Sequence, residues 1–274
     1  MQKKYIEVTD RKDRIKRSFH TLTSMVGRNI HNQYRNSTLG ILWTLLNPLL
    51  NMVIITIIFT TILGRNEMDG IYFPVYYLSG LAVFGLLRSS TTNALPCMVV
   101  NHDLLTKTRI QHEVFPLSNV LSALVDFCFT ALALFIVMLI FIKKPGVGFH
   151  PTLLMTVVPF LPAFLAFCLG VSFILATIYI RFRDIKHIYN VVLTLWMYLT
   201  PLFYSVSYIE GHERIKMVLK LNPMYHYVTY FRQLLIGQVP SPMTHLLIYA
   251  WGLGMFGVGF LVFHFAKKKF LLYI

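Results

Sequence analysis

Six long stretches of apolar residues alternate with shorter polar segments along this chain of 274 residues. A helix that crosses a bilayer needs about 20 apolar residues, because each residue adds about 1.5 Å of rise. The pattern therefore predicts an all-α polytopic membrane protein with six transmembrane helices. These are expected at about 43–63, 72–95, 118–142, 153–179, 188–205 and 244–266.

The segment ahead of the first predicted span has a different pattern. Between Ile15 and Tyr34, apolar residues recur every three or four positions and basic residues fall between them. This spacing predicts an amphipathic helix that lies in the membrane interface. We therefore divide the chain into a cytoplasmic N-terminal segment at 1–42 and a six-helix membrane domain at 43–274. The N-terminal helix can be a lipid-bound anchor alone, or it can also contact a cytoplasmic partner.

The segment 207–242 carries too many charges for a span, although it is rich in Ile, Leu, Tyr and Phe. Asn222 and Pro223 form a good helix start, since Asn caps helices and Pro suits the first helical position. Two short helices are expected, at about 210–221 and 223–236, either on the outer surface or as a re-entrant pair. A re-entrant pair is tolerated only where protein or water covers its backbone. Such a segment suits a gate at the mouth of a pathway.

The distribution of charge predicts how this membrane domain is oriented. Charged residues make up 13% of the chain, against about 25% in soluble domains. Seventeen of the 25 Lys and Arg lie in the N-terminal segment, in predicted loops at 97–116 and 181–187, and after Ala266. This bias predicts that both termini are cytoplasmic. It accounts for the net charge of +14 without nucleic acid. The polar start of the chain gives no sign of a removable signal peptide.

A search for catalytic motifs is negative. The chain has no G-x-x-x-x-G-K-[ST] phosphate loop, no H-E-x-x-H and no G-x-S-x-G. Its ten His and three Cys lack ligand or disulfide spacing, so no metal site is expected. Asp126 is the one acid within a predicted span, and pairing with Arg88 or a backbone group explains it better than a proton relay. We therefore expect no enzyme in this chain by itself, and a power source on another polypeptide.

A membrane-bound glycosyl- or acyltransferase is the enzyme class that remains to be considered. It would need a cluster of acids or a His–Asp pair at one membrane face, and the sequence has neither. Six aromatic residues in or near the ends of the spans suggest another function. An interfacial belt is the ordinary explanation, and the alternative is a channel wall on which sugar rings stack. The six are Trp43, Phe59, Trp196, Tyr198, Phe203 and Tyr204.

Several motifs together resemble one family of membrane proteins. Q-Y-R-N-S-T-L-G-I-L-W (33–43) followed by N-P-L-L (47–50) is similar to the signature of the permease subunits of ATP-binding-cassette polysaccharide exporters, which serve O-antigen, capsule and teichoic acid. The likeness continues in order along nearly the whole chain. It includes N-H-D-L-L-T-K (101–107), R-F-R-D-I (181–185), T-P-L-F-Y (200–204), L-N-P (221–223) and F-R-Q-L-L-I-G (231–237). One departure is the stretch before Phe115-Pro116, where the family more often has a shorter basic-apolar run.

The resemblance implies both a function and partners. The chain would be the channel-forming subunit of an ATP-driven exporter that moves lipid-linked polysaccharide across the bacterial cytoplasmic membrane. Such a subunit forms a homodimer and joins a separate ATPase. That ATPase holds the ATP and Mg²⁺, so no cofactor is expected in this chain. An exporter of a small lipid or drug shares the architecture and is the alternative.

The resemblance also implies roles for individual residues. Arg28 and Arg35, at the membrane–water boundary, would meet the pyrophosphate of a polyprenyl-linked substrate, since Arg suits bidentate phosphate contact. The extracytoplasmic gate would include Asn222, Pro223, Tyr225 and Arg232. The coupling helix seated in the ATPase would consist of Asn101, His102, Asp103, Leu104, Leu105, Thr106 and Lys107.

Overall fold

A computed structural model of the chain describes residues 11–35, 38–107, 110–209, 213–267 and 270. Within these, only the backbone is described at 11–17, 34, 107 and 208–209. The predicted apolar side chains of Ile15 and Tyr34, the Lys107 side chain and the start of the predicted helix 210–221 therefore lie outside the described residues.

The described part of the chain is mostly helical, with one two-stranded hairpin. A π-helical turn at Ile58–Ile62 extends α2, and 3₁₀ turns at Pro151–Thr156 and Val206–Ile209 precede α7 and follow α8. The elements in chain order are α1 (Arg11–Tyr34), α2 (Leu42–Ile57), β1 (Glu67–Met68), β2 (Ile71–Tyr72), α3 (Phe73–Ala94), α4 (Cys97–Val100), α5 (His102–Lys107), α6 (Val114–Ile140), α7 (Phe160–Arg181), α8 (Ile185–Leu199), α9 (Glu213–Leu221), α10 (Pro223–Leu235) and α11 (Pro242–Ala266).

Four helical segments among the described residues are long and apolar enough to cross a bilayer. They are 42–62, 114–140, 151–181 and 242–266. Two further predicted spans coincide with α3 and α8. The prediction that the fifth span continues to residue 205 is wrong, because α8 ends at Leu199 and Thr200 has extended backbone. Thr200 precedes Pro201, and a residue before proline is disfavoured in helical conformation. The count of six spans remains a prediction.

Local signals in the sequence set where several elements begin. The side chain of Asn222 accepts a hydrogen bond from the Met224 backbone N–H at 3.0 Å, with Pro223 in the first turn of α10. The predicted start of the second short helix is therefore confirmed. Asp69 and Gly70 both have positive φ, 51° and 75°, as a two-residue turn joining antiparallel strands requires. They connect β1 to β2.

The most extensive helix pair in the structure, α7 with α11, depends on glycine. A methyl group at Gly252 would meet the carbonyl oxygen of Ala163, and one at Gly259 would meet backbone atoms of Gly170. A methyl group at Gly254 or Gly257 would meet nothing within 4 Å. Of the four glycines in the last predicted span, Gly252 and Gly259 therefore permit the close approach of α11 to α7. Small residues commonly allow such packing between membrane helices.

Functional groups collect at two ends of the helical bundle. One end, here called the α5 end, holds α1, α4, α5 and the last turns of α7 and α11. The other, here called the α10 end, holds the hairpin, α9, α10 and the first turns of α3 and α7. Between them lies an apolar core that includes Phe160, Phe164, Phe167 and Tyr227, whose rings contact one another.

Candidate coupling, gate and pathway surfaces

The α5 helix presents a polar face outward and an apolar face inward. Leu105 is buried and Leu104 is half-buried, whereas His102, Asp103 and Thr106 are exposed. This amphipathic turn lies where the family resemblance implies the coupling helix. The exposed side chains leave one face of α5 accessible to a separate protein.

Asn101 connects α5 to the helices around it. Its side-chain amide donates to the Cys97 carbonyl at 2.7 Å, and its side-chain oxygen accepts from the Arg28 guanidinium of α1. Asn29, next on α1, donates to Asn119 of α6 at 3.4 Å. The N-terminal helix therefore lies against both the coupling loop and α6. Arg28 thus has a protein partner that the sequence did not indicate, and Arg35 is exposed just after α1.

At the α10 end, the guanidinium of Arg232 is buried in the protein. It donates to the carbonyl oxygens of Pro201 at 2.7 Å and Tyr76 at 3.1 Å, and to the Ser79 hydroxyl at 3.4 Å. Its Cζ lies 3.4 Å from the centroid of the Tyr76 ring. The Tyr76 hydroxyl in turn donates to the carbonyl of Tyr204 at 2.7 Å. Arg232 was predicted in the gate, and its side chain ties α10 to α3 and to the loop after α8.

Asn222 makes a second connection between α10 and α8. Besides capping α10, its side-chain oxygen accepts from the Trp196 indole N–H at 2.7 Å. Its amide donates to the Leu199 carbonyl at 3.1 Å and to the Thr200 hydroxyl at 3.2 Å. Movement of α10 and movement of the end of α8 are therefore mechanically linked. Pro223 and Tyr225 are half-buried beside this junction, and burial raises the pKa of the Tyr225 phenol.

The six predicted channel aromatics fall into two groups in the structure. Trp43 and Tyr198 are exposed. The other four are half-buried against neighbours in the same subunit. Phe59 stacks on Phe73 with ring centroids 4.7 Å apart, and Phe203 packs on Tyr77 at 5.6 Å. The remaining two, Trp196 and Tyr204, are held by hydrogen bonds to Asn222 and to the Tyr198 carbonyl.

The chain matches the profile of the ABC-2 type transporter family over residues 20–236. It belongs to this family. It is similar to the O-antigen export system permease protein RfbA of Myxococcus xanthus, with 32% identity over 77% of this chain and 78% of the relative. A permease of the same name from Klebsiella pneumoniae is 25% identical over 92% and 94% of the two chains. The polysialic acid transport protein KpsM of Escherichia coli is 21% identical over 78% and 80%.

This ABC-2 permease is a membrane-embedded transport subunit, and two of its helices are covered on little of their surface. Met52 is the buried residue of α2, and Tyr189 and Leu193 are those of α8. The exposed surfaces of both helices are mainly apolar but also carry four polar side chains that sequence reasoning missed. They are Asn47, Asn51, Asn190 and Thr194.

Polar side chains at such positions are informative because the hydrocarbon core of a bilayer offers them no hydrogen-bond partner. Asn51 donates to the Asn47 carbonyl at 2.9 Å, and Thr194 donates to the Asn190 carbonyl at 3.0 Å. Intramembrane polar residues generally face a helix partner or a water-filled cavity. The sequence signal for this surface is a pair of polar residues four positions apart within an apolar run, Asn47 and Asn51 in α2 and Asn190 and Thr194 in α8. By contrast, Asp126 accepts from Ser89 of α3 at 3.0 Å and so joins two helices of the bundle.

Proposed function

We propose that this chain is the permease of an ATP-driven exporter that moves lipid-linked polysaccharide across the bacterial cytoplasmic membrane. The observation that carries the proposal is the similarity to O-antigen export permeases along more than three-quarters of each chain. The exposed polar and aromatic side chains of α2 and α8 support it. Hydroxyl groups of a glycan can bond to Asn and Thr, while the apolar faces of its sugar rings stack on Trp43 and Tyr198.

The proposed assembly is a homodimer joined to two copies of a separate ATPase. The exposed face of α5 is the proposed ATPase contact, and the α5 end faces the cytoplasm because basic residues concentrate there. The proposed dimer seam lies along α2 and α8, two predicted spanning helices of which few residues are buried within one subunit. ATP and Mg²⁺ bind to the partner. With the α10 end facing outward, α9 and α10 form the gate.

Transport would then proceed by transmission of movement from the ATPase. ATP binding closes the ATPase dimer, α5 carries that displacement into the bundle, and the seam between the subunits opens. A long glycan does not fit in a closed pocket, so a continuous channel suits the substrate better. Arg35, together with the guanidinium nitrogens of Arg28 that do not bond to Asn101, is the proposed contact for the carrier pyrophosphate.

The test is reconstitution of the chain with its candidate ATPase in proteoliposomes. ATP hydrolysis is measured with and without polyprenyl-linked glycan, for the wild type and for Asp103→Lys. We expect glycan to stimulate hydrolysis in the wild type and Asp103→Lys to abolish the stimulation. Glu67→Lys, an exposed charge reversal in β1 and outside the proposed gate helices, is the matched control and should behave as the wild type.

Other outcomes of this experiment would refute one or another part of the proposal. A stable complex whose hydrolysis ignores glycan but responds to a small lipid or drug would refute the polysaccharide assignment in favour of that exporter class. Failure of the two proteins to associate would refute the coupling role of α5. Normal glycan stimulation in Asp103→Lys would refute the role of that carboxylate.

A further inference from the structure

The chain that follows α11 contacts the loop that carries α5. The Lys267 ammonium lies 2.7 Å from a carboxylate oxygen of Glu113, and each side chain is about a quarter exposed, at 27% and 26%. Phe270 is buried, and its ring centroid lies 5.1 Å from that of Phe263 and 6.2 Å from that of His112. We call Glu113, Lys267 and Phe270 the tail clamp.

The tail clamp closes an apolar cluster that is separate from the main core of the bundle. This cluster draws residues from six helices, α4 among them, and from the tail. Its members include Met25 of α1, Leu105 of α5, Phe115 of α6, Ile180 of α7, Phe263 of α11 and Phe270. Leu105, the buried residue of the proposed ATPase-contact helix, therefore belongs to the same apolar cluster as residues at the ends of α6, α7 and α11.

The Glu113–Lys267 ion pair adds a polar contact between the α5 loop and the end of α11. A partly buried pair is screened by salt less than an exposed one, and a charge-assisted hydrogen bond is stronger than a neutral one. Burial of the Glu113 carboxyl opposes ionisation, but the hydrogen bond from Lys267 and its charge outweigh burial and lower the carboxyl pKa. The pair joins residues 154 positions apart in the chain. Since Gly252 and Gly259 hold α11 tightly on α7, a displacement of Glu113 is passed to both helices.

We propose that the tail clamp positions the α5 loop against α11, so that movement imposed on α5 is delivered to the α7–α11 pair. This inference rests on the proposed function, in which a partner ATPase moves α5. Lys267, Glu113 and Phe270 are positioning residues: they contact neither substrate nor nucleotide. Without them, α5 can still bind the ATPase through its exposed face, but its movement is absorbed by the loop.

The first test measures glycan exported per ATP hydrolysed by the reconstituted complex. Glu113→Gln keeps the shape of the side chain and removes its charge, and it is expected to lower this ratio by about twofold to thirtyfold, the range for mutations that alter coupling. ATP hydrolysis itself and assembly with the ATPase are retained. The exchange of charges in the double variant E113K/K267E is expected to restore the ratio. Glu67→Gln, the same substitution at an exposed position of β1, is the matched control and leaves the ratio unchanged.

The second test does not depend on cargo. Spin labels at Gln111→Cys, in the loop between α5 and α6, and at His264→Cys, both exposed, report the distance between the α5 loop and α11 in a Cys128→Ser background. In the wild-type complex the distance distribution stays narrow when ATP is added. In Glu113→Gln or Phe270→Ala it broadens.

The outcomes separate the inference from the function on which it rests. One outcome is that the wild-type complex exports no glycan and still shows a narrow distribution of label-to-label distances that broadens in the variants. That result would refute the polysaccharide assignment and support the tail clamp. Distance distributions of equal width in the wild type and the variants would refute the tail-clamp proposal. An unchanged ratio of glycan exported to ATP hydrolysed in Glu113→Gln would also refute it. A charge-exchanged variant no better than Glu113→Gln also refutes it.

Discussion

Close packing of α11 on α7 can be tested with a single methyl group. In Gly259→Ala, the new Cβ would approach the carbonyl carbon of Gly170 to 2.7 Å and its Cα to 2.8 Å, where real Cβ atoms essentially never lie. These are backbone atoms, so relief requires the two helices to move apart. Overpacking of this kind destabilises by about 1–3 kcal/mol.

The matched variant is Gly257→Ala, two residues earlier on the same helix. Its Cβ meets nothing within 4 Å, and alanine is the better helix former. For a protein of this size, 1 kcal/mol shifts the midpoint of thermal unfolding by about 2–4 °C. We therefore expect Gly259→Ala to lower the apparent midpoint in detergent by about 2–12 °C and Gly257→Ala to leave it unchanged or raised.

Tryptophan fluorescence during a thermal ramp is a suitable assay, with the heating rate held constant because membrane proteins often unfold irreversibly. Equal midpoints for the two alanine variants would refute the argument that backbone contact at Gly259 limits the approach. A loss in both variants would point to a general sensitivity of α11.

Two further predictions concern the ends of the bundle. Arg232→Met removes the charge-assisted hydrogen bonds to the carbonyls of Tyr76 and Pro201, which still accept from the hydroxyls of Ser79 and Tyr76. A hydrogen bond to a charged group contributes about 1.5–3 kcal/mol, so the variant should be less stable, and a midpoint at the wild-type value in the same thermal assay would contradict this role. At the α5 end, burial and the charge of Lys267 lower the pKa of His112 below its ordinary 6.5, although the charge of Glu113 opposes them. His112 therefore binds a proton more readily in the unfolded chain than in the folded protein. Stability should therefore fall as pH drops through and below 6.5. The midpoint of thermal unfolding should fall less between pH 7.5 and 5.5 in His112→Phe than in the wild type. An equal fall in both would show that His112 is not the source of the pH dependence.

Local features of the fold could be predicted from the sequence, because their causes lie within a few residues. Asn222 and Pro223 carry their own helix-start chemistry, and α10 begins where they predict. A different local signal operates at Thr200 and Pro201, where the X-Pro step ends α8 before the apolar run ends. Because the apolar run continues past this step, hydrophobicity alone predicts a helix that is too long.

Long-range features were harder to predict, because the partners carry no recognisable residue type. Arg232 was expected at a gate, and its partners include backbone carbonyls, one of them 156 residues away in the chain. Any residue can supply a carbonyl, so no motif marks such a site. The glycines of α11 are an intermediate case. Gly252 and Gly259 are seven residues apart and share one helix face, and this spacing distinguishes them from Gly254 and Gly257.

The α7–α11 pairing has a consequence for the order in which the subunit is assembled. Because α11 is synthesised after α7 and after the whole gate segment, α7 enters the membrane without the helix that will cover its Gly170 face. Glu113, made earlier still, likewise lacks Lys267 until α11 has been translated. Docking of α11 is therefore a late step, in which separately inserted spans become one mechanical unit. A nascent chain that lacks α11 contains α5 with its proposed ATPase-contact face but lacks the α7–α11 pair to which the tail clamp is proposed to deliver a displacement.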